Sequence, residues 1–292
     1  MQFNFWQESG AQAAVPIEVP ARNIRKGMVF MKIIKRSLSM LLLTGLMFPV
    51  LHALAASGAQ NWYFKKNENH EQPPLDTQLL YTEELDAYYV DKKATADDPV
   101  LYLTFDAGYE NGNIEKILDA LKKHNASAAF FVLSHLVQNN TDLIVRMQEE
   151  GHTVCNHTAS HKDMSKVTDF AAFEAELKKM EEICLSCSGV TMSKYYRPPE
   201  GKFTRENLEF AKRMGYSTIF WSFAYADWDN NKQPSPEAAK ENILKHTHNG
   251  AVILLHPTSA TNAQIMDELL TAWEKEGYRF GTLDELTGKK TD

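Results

Sequence analysis

The chain has 292 residues, with 31 lysines and arginines against 38 aspartates and glutamates and a net charge of −7. Hydrophobic residues make up 43% of it and charged residues 24%, with 14 glycines and 11 prolines, which excludes a collagen-like chain, a disordered tail and a polybasic nucleic-acid binder. Three cysteines are too few for a disulfide scaffold, so the expectation is a globular protein of one large domain or two small ones.

Residues 31–55 read as a secretory signal peptide. Lys32, Lys35 and Arg36 precede an apolar run from Leu38, and Ala53-Leu54-Ala55 supplies the small-residue cleavage pattern. The alternative is an uncleaved signal anchor, because the apolar run is nearly long enough to cross a bilayer. Residues 1–30 read as an upstream extension or a non-native start, with Met28 or Met31 as the true beginning. Cleavage would remove Arg22, Arg25, Lys26, Lys32, Lys35 and Arg36 but only Glu8 and Glu18, so the exported remainder is more acidic and repels nucleic acid and anionic lipid.

Residues 56–97 are polar and irregular and are expected to form an N-terminal arm packed across the domain at 98–292. From Pro99 onward, apolar strands alternate with amphipathic helices. VLYLTF (100–105) is followed by Ile114, Ile117, Leu118 and Leu121 at helical spacing. SAAFFVL (127–133), a helix near 140–150 and HTVC (152–155) come next. They precede a long helix over 169–186, a strand before Arg197, a helix over 204–214 and the strand STIFWS (217–222). A helix at 237–246, AVILLH (251–256), a helix near 262–276 and a short strand at Tyr278 complete the pattern. Strands apolar on both faces and separated by helices imply an α/β fold, here a distorted (β/α) barrel of seven to eight units with parallel strands. Periodicity does not report closure, so a doubly wound open sheet is the alternative.

The polar residues are informative by position. Asp106, His157, His161, Arg197, Asp227 and His256 all follow predicted strands, which in a parallel barrel gathers them on the C-terminal rim. His157 and His161 are four apart, a spacing that on a helical turn lets two imidazoles hold one divalent metal. Each residue alone has a bland reading: Asp106 as a turn former, His256 as a structural histidine, Asp227-Trp228 as a loop pair. Together they indicate a catalytic site. Cys184-x-x-Cys187 reads as a local disulfide or two inert thiols rather than a redox or zinc site. Tyr195, Tyr196, Trp221, Phe223, Tyr225 and Trp228 read as core packing or a sugar-stacking wall.

Five motifs then appear in order: Thr104-Phe105-Asp106-Ala107-Gly108, His157-Thr158-Ala159-Ser160-His161, Arg197-Pro198-Pro199-Glu200-Gly201, Asp227-Trp228 and Leu254-Leu255-His256. The set resembles the polysaccharide deacetylases, carbohydrate esterase family 4, over most of 98–285. The segments Asn61 to Lys65, His70 to Pro74, GYENG (108–112), YYRPPEGKF (195–203) and LLHPTSATNA (254–263) are similar to the delta-lactam-biosynthetic, muramic acid de-N-acetylase subgroup.

The resemblance implies hydrolysis of N-acetylmuramic acid in peptidoglycan glycan strands, on the way to muramic-δ-lactam of the spore cortex, by a monomer with no nucleic-acid partner. The alternatives are an N-acetylglucosamine or chitin-type deacetylase and a non-catalytic glycan binder. It implies Asp106 as general base held by Arg197, His256 as general acid steadied by Asp227, and the backbone N–H of Glu200 as oxyanion donor. Leu254, Trp228 and Tyr109 would form the substrate pocket, and His157 and His161 would hold zinc or a similar divalent metal. The family's third metal ligand is an aspartate where this chain has Ala107, so weak binding is expected, with Glu110 or Asn111 as candidate substitutes.

Overall fold

The computed structural model describes residues 58–66 and 68–289. The segments read as a signal peptide (31–55) and as an upstream extension (1–30) lie outside the described residues. No helix among the described residues is long and apolar enough to cross a membrane.

The chain enters through a short strand β1 (Gln60–Asn61), a helical turn α1 (Tyr81–Glu84) and strand β2 (Ala87–Tyr88). There follow β3 (Val100–Ala107), α2 (Ile114–Lys123), β4 (Ala128–Val132), α3 (Ser134–Asn139), α4 (Thr141–Glu149), β5 (Thr153–Asn156) and α5 (Phe170–Ser188). Next come β6 (Tyr195–Tyr196), β7 (Lys202–Phe203), α6 (Arg205–Arg213), β8 (Ser217–Ile219) and α7 (Pro236–His246). The chain ends with β9 (Ala251–Leu255), α8 (Ala260–Lys275), β10 (Arg279–Phe280) and α9 (Leu283–Thr287).

Helices α5, α6 and α8 start where side chains cap them. Asp169 accepts from the Ala172 N–H, Thr204 and Asn207 form a reciprocal capping box, and Ser259 accepts from the Asn262 N–H. Gly189 ends α5 in the left-handed conformation at φ 72°.

The strands of the eight-stranded sheet pair in the order β10-β3-β4-β5-β6-β8-β2, all parallel, with β9 on the other edge of β3. Phe223, beyond β8, bridges in parallel to Ile253 of β9, and Val90, beyond β2, bridges to Ala251, so the sheet curls into a distorted barrel. β3 shows why its sequence is apolar throughout. Leu101, Leu103, Phe105 and Ala107 pack in the large core that includes α2 and α8, while Val100 and Tyr102 pack with Phe131, Tyr195 and Val252 in a second cluster. The alternation leaves Thr104 and Asp106 on the inner side.

Two differences from the sequence reading have physical causes. STIFWS is a strand only to Ile219: the Phe220 N–H still donates to Tyr88 O at 2.7 Å, but the Ser222 N–H donates to Val252 O at 2.9 Å. The chain changes partner there because β2 is wedged between β8 and β9, and a change of partner leaves no periodic signature. The segment at 56–97 is less irregular than expected, since it supplies β1, α1 and β2. Of the two readings of Cys184 and Cys187, the structure has the free thiols, the former buried and the latter exposed.

Trp62 locks the arm to the barrel. Its indole stacks on Phe220 at 4.1 Å, its Nε1–H donates to Trp221 O at 2.8 Å and its backbone N–H donates to Gly201 O at 2.8 Å. Trp62→Ala empties this buried position and is expected to lower the unfolding free energy by about 3–5 kcal/mol, read from urea denaturation midpoints.

Candidate active site

A cavity of about 730 Å³ opens at the C-terminal ends of the strands, in the size range of small-molecule sites. Asp106, Tyr109, His157, His161, Glu200, Trp228, Leu254 and His256 line it. Arg197 and Asp227 lie behind this lining, each fully buried. All the site residues named from the sequence therefore meet in one place, as wall or as support.

Arg197 follows β6 and points into the barrel. Its Nε donates to Ile219 O at 2.8 Å, one terminal nitrogen to Asp106 Oδ1 at 2.9 Å, and the other to Thr104 Oγ1 at 2.9 Å and Phe220 O at 3.2 Å. The guanidinium lies 4.1 Å from the Phe131 ring centroid, so a cation–π contact covers one face. Burial alone would raise the pKa of Asp106, but His157, Arg197 and His256 more than offset it and hold the carboxyl below its ordinary value. Asp106 is therefore a carboxylate at neutral pH.

His157 donates Nδ1–H to the Arg197 carbonyl at 2.9 Å, which leaves the Nε2 lone pair free, 3.5 Å from Asp106 Oδ2. Burial pushes this imidazole down to about 4, so it is neutral, the state a metal ligand requires. The His161 ring sits 5.1 Å from it, centroid to centroid. The two are not on a helical turn, as their spacing had suggested. Thr158 and His161 take left-handed φ angles of 74° and 53°, and the loop is built from side-chain bonds. Asn156 Oδ1 accepts from the Thr158 N–H at 2.9 Å, Thr158 Oγ1 from the His161 N–H at 3.0 Å, and Glu176 from the Ser160 N–H at 2.7 Å. Short polar residues that bond their own backbone were the available signal.

These two imidazoles fit a divalent cation as a pair of nitrogen donors, the orientation of His157 being set by a carbonyl behind it. Among the described residues no group of three or more His, Cys, Asp and Glu forms a metal centre. Ala107 packs in the core cluster and offers no donor. Neither Glu110 nor Asn111 substitutes. The Glu110 carboxylate accepts from the Asn113 and Ile114 N–H groups at 2.7 and 3.0 Å, capping α2, and Asn111 donates to Thr258 O at 2.8 Å.

On the other wall, His256 Nδ1–H donates to Asp227 Oδ1 at 2.7 Å, and its backbone N–H donates to Asp227 Oδ2 at 2.8 Å. Burial alone would lower the pKa of His256, but the hydrogen bond and charge of Asp227 outweigh it and raise the imidazole above its ordinary value. The sequence reading missed Asn262, whose side chain donates to Asp227 Oδ2 at 2.6 Å and to the His256 carbonyl at 3.1 Å. It also missed the Tyr225 hydroxyl, which donates to Asn262.

Glu200 lies in a 3-10 turn (Pro199–Gly201) at φ 56°, ψ 12°. Leu254 is 5% exposed at the floor, whereas Trp228 is 60% and Tyr109 41% exposed at the mouth. Asn230 donates to the Tyr109 hydroxyl at 2.7 Å, joining the two rim loops.

The chemistry of this arrangement agrees with the comparisons to known proteins. Residues 93–219 match the polysaccharide deacetylase family. The chain is 40% identical over 232 residues to the peptidoglycan-N-acetylmuramic acid deacetylase PdaA of Bacillus subtilis, over 79% of this chain and 86% of that protein. It is 32% identical to a peptidoglycan-N-acetylglucosamine deacetylase of Bacillus cereus, over 63% of this chain and 66% of that one. The solved structure of Bacillus subtilis PdaA, a family 4 carbohydrate esterase, aligns with a TM-score of 0.74 and 38% identity, over 79% of this chain and 97% of that one. The chain thus belongs to the polysaccharide deacetylases, hydrolases of carbohydrate esterase family 4 that act on amide bonds.

Proposed function

We propose that this protein is an exported, monomeric N-deacetylase that hydrolyses the acetamide of N-acetylmuramic acid in peptide-free peptidoglycan strands, leading to muramic-δ-lactam of the spore cortex. The observation that carries the reading is the pairing inside one cleft: a carboxylate bonded to a buried arginine, which favours its ionised form, and an imidazole bonded to a buried carboxylate, which favours its protonated form. Two groups whose environments push their proton affinities apart suit a base and an acid acting on one bond.

Amide hydrolysis needs an activated water, a donor for the carbonyl oxygen and a proton for a poor amine leaving group. Asp106 takes the proton from the water, with Arg197 fixing its orientation. The Glu200 N–H, presented by the left-handed turn, donates to the developing oxyanion. His256 delivers the proton from Nε2 to the amine while Nδ1–H stays bonded to Asp227. Leu254 receives the acetyl methyl, and Tyr109 and Trp228 offer aromatic faces to the sugar. His157 and His161 would hold zinc or a similar divalent ion, weakly because three protein ligands are usual at catalytic zinc. When bound, such an ion supplies Lewis-acid polarisation of the carbonyl and acidifies the nucleophilic water.

Acetate release from peptide-free glycan strands, with and without a chelator, tests the proposal. Release that the chelator abolishes and zinc restores is the expected result; release from N-acetylglucosamine oligomers alone would move the substrate, and no release from either would make the protein a binder. Asp106→Asn and His256→Ala are each expected to lower kcat about a hundredfold or more. His256 must be protonated to act, so activity falls as pH rises through its raised pKa. Asp227→Asn removes the cause of the raise and should move that alkaline limb of kcat/KM to lower pH. Arg197→Met strands a buried carboxylate and is expected to cost about 3–5 kcal/mol of stability, measured by denaturant titration.

A further inference from the structure

Cutting an acetamide requires nothing that tells muramic acid from glucosamine. The two sugars differ by a lactyl ether that carries a carboxylate. Two acidic residues, Asp106 and Glu200, line the cleft, and among the described residues none that lines it is a lysine or an arginine. An anionic sugar entering that lining needs a cation within reach. Arg197 cannot serve: it is fully buried, and its nitrogens are spent on Asp106, Thr104 and two carbonyls.

A cation does stand beside one wall of the cleft. The Lys202 Nζ lies 2.6 Å from Glu200 Oε2, with the two side chains 34% and 57% exposed. The lysine backbone is fixed by the pairing of β7 with β1, where Lys202 faces Asn61. Between the two, Gly201 is clamped so closely that a Cβ there would fall 2.8 Å from the Trp221 ring and 3.0 Å from the Trp62 Cβ. Glu200 itself takes a left-handed backbone that costs any L side chain free energy and would suit glycine. A carboxylate kept in a strained position beside a lysine, at the edge of a cleft, points to work done by the side chains as well as the turn.

We propose that Lys202 is a specificity-determining residue that receives the lactyl carboxylate of the muramyl sugar, exchanging it for Glu200. The inference rests on the muramic acid reading above. The exchange is easy because an exposed ion pair contributes little in water. Glu200 then has two opposed effects: it holds the ammonium in place, and it competes with the substrate for it.

The test compares wild type, Lys202→Met, Lys202→Arg and Glu200→Gln on peptide-free muramyl strands and on N-acetylglucosamine oligomers. Lys202→Met is expected to raise KM on the muramyl strands about tenfold, lowering the muramyl-to-glucosaminyl ratio of kcat/KM by that factor, the size of one charge-assisted contact. Lys202→Arg restores the ratio, and Glu200→Gln shifts it the other way through a lower muramyl KM. An equal loss on both substrates, or an unmoved ratio, overturns the proposal. Should wild type act on glucosamine oligomers alone, the substrate reading fails by itself. Inhibition of that activity by free N-acetylmuramic acid then reads the lysine: weakening by Lys202→Met supports its role, and unchanged inhibition overturns it.

Discussion

The structure depends on one buried guanidinium. Taking a cation out of water is costly, and Arg197 is tolerated inside the barrel because the Asp106 carboxylate, the Thr104 hydroxyl, two carbonyl oxygens and the Phe131 ring replace its hydration. Its main chain is equally committed: the N–H donates to Asn156 O at 3.1 Å, and the carbonyl accepts from His157. One residue thereby couples β3, β5, β6 and β8, fixes the charge of Asp106 and selects the tautomer of His157. Neighbouring strands have to be in register for any of this to form, so the site's chemistry and the barrel's closure rest on the same contacts.

The opposite wall repeats the logic with the signs reversed. Asp227 is a buried carboxylate whose oxygens accept from the His256 ring, the His256 backbone and Asn262. The Asn262 amide orients the carboxylate without adding charge, so the electrostatic support goes to the imidazole alone. Burial amplifies both halves, because charges interact more strongly where water is excluded.

Much of this was legible in the residues. Strands apolar on both faces and polar residues at their C-terminal ends were enough to expect a parallel barrel with its chemistry on one rim. The spacing of His157 and His161 suggested a helix, but Asn156, Thr158 and Ser160 divert the backbone into a loop that still brings both rings to the cleft. Asn262 sits in the first turn of α8, where an asparagine looks like a capping residue, and only the fold reveals that it reaches Asp227. The arm was read as irregular because β1 and β2 are each a residue pair, too short for alternation to register. The pairings of β1 with β7 and of β2 with β8 join residues more than a hundred positions apart, and local pattern carries no trace of them.

The position of β3 bears on how the chain reaches its folded form. Its residues Leu101 to Phe105 pair with Ala251 to Leu255, and its first residues pair with β10 at Arg279 and Phe280. The central stave therefore cannot be completed until almost the whole polypeptide has emerged, a topology of distant contacts that folds slowly. A protein wired this way completes its central strand only late in its own synthesis.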